Sequence, residues 1–270
     1  MRSLAEDLGD GDHSSLACIP EDTKGKAKLL IKEAGTLAGI RVAADFFHVI
    51  DKELKFDVLL KDGANVVPGD IGFCLSGNQQ SILKSERLIL NIIQRMSGIA
   101  TSTHQYVSQL HGLKTKILDT RKTTPGLRFL EKEAVRIGGG KNHRMGLYDM
   151  IMLKDNHIDY AGGIEKAIFS TKEYLKKNNL SLKVEIEART LKDVKTILDV
   201  GGVDRIMLDN FSIQDTLSAV KIISGEFETE SSGGITIDTV RSYAECGVDF
   251  ISVGAITHHI KSLDMSLKAM

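Results

Sequence analysis

After Lys114 the chain alternates short apolar strands with amphipathic helices, and no other feature narrows its possible folds as much. Strands are expected at 116–119, 150–153, 184–187, 205–208, 228–230 and 250–253, with helical spacing at 164–177, 191–200, 213–223 and 237–246. Repeated strand–helix units with right-handed crossovers build a parallel sheet with helices outside. The strand count is close to that of a (β/α) barrel but short of eight, so an incomplete, open α/β barrel is expected. A doubly wound sheet is the alternative, although no GxGxxG turn follows the first strand.

The chain up to about Gly98 has a different texture. The runs 41–50 and 56–60 are rich in β-branched and aromatic residues and predict strands. Lys61-Asp62-Gly63-Ala64-Asn65 reads as a hairpin turn, and Pro68-Gly69-Asp70 as a further turn. From 81 to 110, apolar residues at helical spacing (Ile82, Ile89, Ile93, Met96 and others) predict a long helix, with Ser97-Gly98 as the place where it would break.

Composition sets outer bounds. At 270 residues, 42% apolar and 26% charged, the chain is ordinary globular material, enough for one large domain or two modest ones. A formal net charge of −1 argues against a dedicated nucleic-acid binder, while leaving room for a local basic pocket. Cys18, Cys74 and Cys246 are widely spaced and form no CxxC pair, so free thiols in a reducing compartment are expected, without structural zinc. The polar start from Met1 to Ser15 is unlike a signal or transit peptide, and no apolar run reaches a bilayer span. A cytoplasmic protein with no membrane partner is the expectation.

In parallel strand–helix arrays, catalytic groups gather beyond the C-terminal ends of the strands. Reading each strand off its end gives Asp119-Thr120-Arg121-Lys122, then Lys154-Asp155-Asn156-His157, Glu187, Asp209-Asn210, Ser231-Ser232-Gly233-Gly234 and Gly254. A basic group, Lys141-Asn142-His143-Arg144, follows the glycine run Gly138-Gly139-Gly140. Arg121, Arg144, Lys122, Lys154 and His143 suit an anion with more than one carboxylate, because guanidinium forks bind carboxylates in pairs. Glu187 and Asp209 suit ribose hydroxyls or a hard cation such as Mg²⁺. Ser232-Gly233-Gly234 and Gly254-Ala255 offer backbone N–H groups at helix starts for phosphate. Any one of these is commonplace: a lone loop Arg is usually solvated, Glu187 alone could be an ion-pair partner, and His157 reads as a residue that fixes backbone. Their shared place at the strand ends carries the argument.

These residues also resemble a known family. Ile117-Leu118-Asp119-Thr120-Arg121-Lys122-Thr123-Thr124-Pro125-Gly126 is similar to the TRKTTPG signature of quinolinate phosphoribosyltransferases. In the same order follow Gly139-Gly140 through His143-Arg144, Met152-Leu153-Lys154-Asp155-Asn156-His157, Val184-Glu185-Ile186-Glu187, Leu208-Asp209-Asn210-Phe211 and Ser232-Gly233-Gly234-Ile235-Thr236. Glu6-Asp7-Leu8-Gly9-Asp10 and Arg95-Met96-Ser97-Gly98-Ile99-Ala100 extend the likeness to the first half, with Gly11-Asp12-His13 a small departure away from the rim.

The resemblance implies an N-terminal α/β sandwich (1–98 plus 258–270) followed by an open α/β barrel (99–257). It implies a homodimer or larger assembly whose sites are shared between subunits, Arg95 being the residue that crosses over. Quinolinate would be held by Arg95, Thr120, Arg121, His143, Arg144 and Lys154. Phosphoribosyl pyrophosphate would be held by Lys122, Glu187, Asp209, Ser232, Gly233, Gly234, Val253, Gly254 and Ala255. Glu187 and Asp209 would hold Mg²⁺, directly or through water, and Lys122, Lys154, Glu187 and Asp209 would carry the chemistry. Two alternatives stay open at this point: a sister phosphoribosyltransferase acting on another base, and a non-catalytic barrel that binds phosphorylated metabolites.

Overall fold

The computed structural model describes residues 2–270, which fall into two compact units. The first takes in the chain up to His104, together with Phe129–Gly139 and His259–Met270; the second is Gln105–Arg128 with Gly140–His258.

In the first unit, α1 (Arg2–Leu8) and α2 (His13–Cys18) precede β1 (Lys24–Ile31), β2 (Gly35–Thr36), α3 (Ile40–Ile50), β3 (Lys55–Val58), β4 (Asn65–Val66), β5 (Ile71–Asn78) and α4 (Gln79–Gln109); α5 (Arg128–Ile137) comes later in the chain. The main sheet is antiparallel, and the chain's last strand, Met265–Ala269, pairs with β1 so that Leu267 faces Leu29. Alternation along β1 puts Ala27, Leu29 and Ile31 into a core shared with Phe47 of α3 and with Ile89 and Ile93 of α4. Phe47 also meets Phe56 and Phe73 at 5.8 and 6.0 Å between ring centres.

Three sequence expectations need correction here. The run 41–50 is the helix α3, not a strand: Ile40, Ala43 and Phe47 are its buried residues, a helical period that β-branched and aromatic content masked. Lys61–Asn65 does make a turn, but it joins no paired strands; β3 pairs with β5, and β4 with β2. Its Asp62 carboxylate instead accepts the N–H groups of Gly39, Ile40 and Arg41, capping α3 from a distance in sequence. Finally, α4 runs unbroken through Ser97-Gly98. Ser97 exchanges hydrogen bonds with the Ala38 main chain, and Gly98 lets the Lys261 carbonyl approach where a β-carbon would lie 2.2 Å from its oxygen. Both residues serve close packing without interrupting the helix.

The second unit carries β6 (Lys116–Leu118), β7 (Ile151–Leu153), α6 (Asp155–Ala161), α7 (Ile164–Asn178), β8 (Val184–Ala188), α8 (Leu191–Val200), β9 (Arg205–Asp209), α9 (Ile213–Ile223), β10 (Glu228–Ser232), α10 (Val240–Glu245), β11 (Phe250–Ser252) and α11 (Ala255–His258). Its six strands are all parallel, in the order β6-β11-β10-β9-β8-β7. The edge strands β6 and β7 do not pair with each other among the described residues, so the barrel is open, as expected. Helix starts are set locally: Thr190 caps α8 and Ser212 caps α9, each accepting the N–H three residues on. No helix of the described residues is long and apolar enough to cross a membrane.

Candidate active site

Strand register decides which side chains meet. Because side chains alternate between faces, β8 sends Glu185 and Glu187 to one side, and β9 sends Arg205, Met207 and Asp209 to the same side. β10 adds Glu230 and Ser232, the latter opposite Asp209. The other face of β8 and β9 (Ile186, Ile206, Leu208) is apolar and buried, and that of β10 carries the buried Thr229 and Ser231. The polar face lines a cavity of about 860 Å³ at the C-terminal ends of the strands. The loops gather on the same cavity: Thr120, Arg121 and Lys122 after β6, His143 and Arg144 before β7, Lys154 at the start of α6, Gly233 and Gly234 after β10, and Val253, Gly254 and Ala255 after β11. Every site residue expected from the sequence lines it except Arg95. That residue lies on α4 in the first unit, where its guanidinium meets the buried Glu131 carboxylate at 2.7 and 2.8 Å.

Charge is arranged in layers. At the mouth, Lys154 Nζ lies 2.7 Å from Glu187 Oε1, while the Asp155 N–H donates to Oε2 at 2.9 Å. Both oxygens of Glu187 are thus engaged. Burial, then the negative charge of Glu187, pushes the Asp209 carboxyl above its ordinary range, with Lys154 acting in the opposite direction. A carboxyl in that position is one that a divalent cation would relieve, so Asp209, with Glu187 beside it, could hold a metal. Across the cavity, Arg144 is buried, and its guanidinium pKa is lowered by desolvation and by the nearby positive charge of Arg121. Two guanidinium groups held this close favour an anion between them.

Backbone geometry shapes the glycine turns. Gly233 has φ +94, and a β-carbon there would lie 2.1 Å from Asn210 Oδ1. Asn210 itself has φ +57, and its N–H donates to Ser232 O at 2.9 Å, so the ends of β9 and β10 are tied together. Gly254 leaves room for the Lys122 chain, whose Cδ would be 3.0 Å from an added β-carbon. Thr257 Oγ1 donates to the Lys122 carbonyl at 2.8 Å. His157 has the structural role expected of it: its Nδ1 accepts the Lys154 N–H at the start of α6. The glycine run ending at Gly140 starts as the end of α5: Gly138 donates to Ala134 and packs tightly on Ala100 and Thr103.

Beneath the mouth lies a polar layer that sequence reasoning missed. Glu185 and Glu230 are fully buried, and His143 Nε2 lies 2.9 Å from Glu185 Oε2 and 3.5 Å from Glu230 Oε2. Arg205 Nη1 meets Glu230 Oε2 at 2.9 Å, with its guanidinium 4.0 Å from the Phe250 ring centre. Burial pushes Glu185 up to about 7 and Glu230, which also faces the Glu185 charge, up to about 8. Asp119, also fully buried, accepts the His143 N–H at 2.8 Å. A signal was available: charged residues two apart within parallel strands, which are otherwise apolar on both faces, must point into the barrel together.

An open parallel barrel with paired cationic side chains, carboxylates and glycine turns at its strand ends is the scaffold of an enzyme for polyanionic substrates. Comparison makes the assignment specific. Residues 12–97 match the family model for the quinolinate phosphoribosyl transferase N-terminal domain, and residues 99–268 match the C-terminal domain of the same family. The chain belongs to the quinolinate phosphoribosyltransferase family. Among its relatives is the chloroplastic nicotinate-nucleotide pyrophosphorylase [carboxylating] of Arabidopsis thaliana, 47% identical over 98% of this chain and 80% of that one. A probable nicotinate-nucleotide pyrophosphorylase [carboxylating] of Synechocystis is 40% identical over 98% of this chain and 89% of its own length. Among solved structures, NadC from Streptococcus pyogenes superposes with TM-score 0.94 at 40% identity, covering 100% of this chain and 95% of that one. The nicotinate-nucleotide pyrophosphorylase of Francisella tularensis gives 0.93 at 42%, covering 100% and 94%.

Proposed function

We propose that this enzyme transfers the phosphoribosyl group of phosphoribosyl pyrophosphate to quinolinate with loss of CO₂, giving nicotinate mononucleotide and pyrophosphate for NAD biosynthesis. The observation that carries this reading is the meeting, in one cavity, of the Arg121–Arg144 pair with the Lys154–Glu187–Asp209 group and two glycine turns. The first suits a dicarboxylate, the second a ribose and its leaving group, the third phosphates. The sister enzyme on another base and the non-catalytic barrel are not favoured, since neither needs all three.

In the reaction the pyridine nitrogen forms a bond to ribose C1 as the C1–oxygen bond to pyrophosphate breaks. The ring nitrogen is already unprotonated, so positioning and charge stabilisation dominate. Arg121, Arg144 and Lys154, with Thr120 nearby, hold the carboxylates, and the tightest grip falls on the 3-carboxylate, which stays. Lys122 offsets charge building on the departing pyrophosphate. Glu187 and Asp209 bind ribose hydroxyls and favour the positive charge developing at C1. Asp209 and Glu187 would hold Mg²⁺, which would supply further charge neutralisation when bound. Once alkylated, the positively charged ring nitrogen stabilises the electron pair that stays on C2 as CO₂ departs, and that carbon then takes a proton from solvent.

With Mg²⁺, phosphoribosyl pyrophosphate and quinolinate, the purified enzyme is expected to release CO₂ and nicotinate mononucleotide in equal amounts, and to ignore nicotinate as a competing base. Turnover of nicotinate instead would move the activity to the sister enzyme. The working unit in this proposal is a cytoplasmic homodimer or larger assembly in which Arg95, oriented by Glu131, completes the neighbouring subunit's site. Mixing inactive Arg95→Ala and Lys154→Ala chains under subunit exchange should therefore restore about a quarter of the parental activity, since half the dimers are hybrids with one intact site of two. No recovery despite demonstrated exchange would remove Arg95 from a shared site.

A further inference from the structure

We infer that Glu185 is a positioning residue for the quinolinate-binding reaction: through the His143 imidazole it fixes the main chain at Arg144, and with it the guanidinium offered to the substrate carboxylates. The inference rests on the proposed activity and gives His143 a different part from that of a direct carboxylate ligand.

Three contacts carry it. The Arg144 N–H donates to His143 Nδ1 at 2.7 Å, which leaves that nitrogen unprotonated and places the ring proton on Nε2. Nε2 lies at ion-pair distance, 2.9 Å, from Glu185 Oε2, without hydrogen-bond geometry, and Glu230 Oε2 is farther away at 3.5 Å. The His143 N–H in turn is held by Asp119 at 2.8 Å. Both ring nitrogens thus face protein groups, and the imidazole is a strut between the barrel floor and the loop that bears Arg144. The Arg144 side chain is braced separately, by Nη1 donating to the Met150 carbonyl at 3.2 Å.

His143, Glu185 and Glu230 present their ligand atoms within 4.8 Å of one another, a donor set that a metal could use. Arg205 already supplies the cation of this layer, with Nη1 at 2.9 Å from Glu230 and its remaining nitrogens on Glu228. The layer is therefore an internal brace, and a buried carboxylate at ion-pair distance from an imidazole nitrogen holds the ring in place by charge and contact.

The test separates orientation from packing. Leu at position 185 keeps the volume but removes the acceptor, and apolar replacement of buried charge is often tolerated by the fold. Glu185→Leu is expected to raise the quinolinate KM about tenfold or more, as loss of a buried charged contact does, with the phosphoribosyl pyrophosphate KM within about twofold of the parent. Glu185→Gln, which retains an acceptor, should bring the quinolinate KM back to within about threefold of the parent. A Leu variant that melts like the parent and keeps its quinolinate KM would overturn the inference, as would equal rises in both KM values for Leu and Gln alike. If the Leu chain does not fold, ¹⁵N spectra of the parent decide: His143 should be the Nε2–H tautomer, and a proton found on Nδ1 overturns the proposal. A parent that fails to turn over quinolinate would sink the assigned activity, whereas the tautomer measurement would still judge the strut.

Discussion

Lys154→Met is expected to lower kcat/KM for quinolinate by about three orders of magnitude while leaving the protein folded. In the parent, Lys154 Nζ is 2.7 Å from Glu187, and its charge is the one that opposes the raised pKa of Asp209. Met keeps the length of the chain and removes only that charge. Glu187 and Asp209 would then face the cavity as two carboxylates with no cation from β7 or its loop, just where the proposed activity brings in a dicarboxylate and a pyrophosphate. At an effective dielectric of about 20, a unit charge at 4–5 Å is worth roughly 3–4 kcal/mol, and about half that where water still screens it. Lys154 is 44% exposed before substrate arrives, so the smaller figure applies to the free enzyme and the larger to the complex in which substrate displaces that water. The lost attraction to substrate and the added repulsion from the bared carboxylates together reach about 4 kcal/mol, or a thousandfold. Raising salt should recover a little of the loss, because screening weakens the repulsion. A drop of less than tenfold would show that Lys154 serves only to hold Glu187 in place.

The barrel was readable because its signal is periodic and local. Each of the six strands was expected within one or two residues, and reading the chain beyond each strand end picked out the loops that line the cavity. Two kinds of information were not readable. One was conformation imposed from elsewhere: α3 carries the β-branched and aromatic residues of a strand, but its start is capped by Asp62, more than twenty positions on. Likewise Ser97 and Gly98 read as a helix break until the Ala38 main chain and the Lys261 carbonyl appear beside them. The other was the charged layer inside the barrel. Glu185, Arg205 and Glu230 sit in strands that were read for their apolar content, and attention to strand ends passes over residues one layer lower. A single sequence shows which residues share a face, but the pairing Glu185↔Arg205 depends on register between strands about twenty residues apart.

Gly233→Ala should cripple the enzyme, whereas the same change one residue later should be mild. Both glycines have positive φ, +94 and +60, so each alanine carries a conformational penalty of about 1–2 kcal/mol. Space separates them. At Gly234 an added methyl meets nothing within 4 Å. At Gly233 it would lie 2.1 Å from Asn210 Oδ1 and 2.9 Å from the Asn210 main-chain nitrogen, and that nitrogen is tied to Ser232 O. The side chain can swing away, but the main chain cannot without dragging the ends of β9 and β10 apart. Those ends carry Asp209 on one side and the Gly233-Gly234 turn on the other, so the displacement reaches both halves of the proposed phosphoribosyl pyrophosphate site. Misplacing reacting groups by about an ångström costs on the order of a hundredfold. The expected result for Gly233→Ala is therefore at least about a hundredfold loss in kcat/KM for phosphoribosyl pyrophosphate, with a melting temperature only a few degrees lower. Gly234→Ala should lose less than about tenfold, its open surroundings leaving only the backbone penalty. Equal losses at both positions would mean that backbone freedom, and not the contact with Asn210, is what this turn requires.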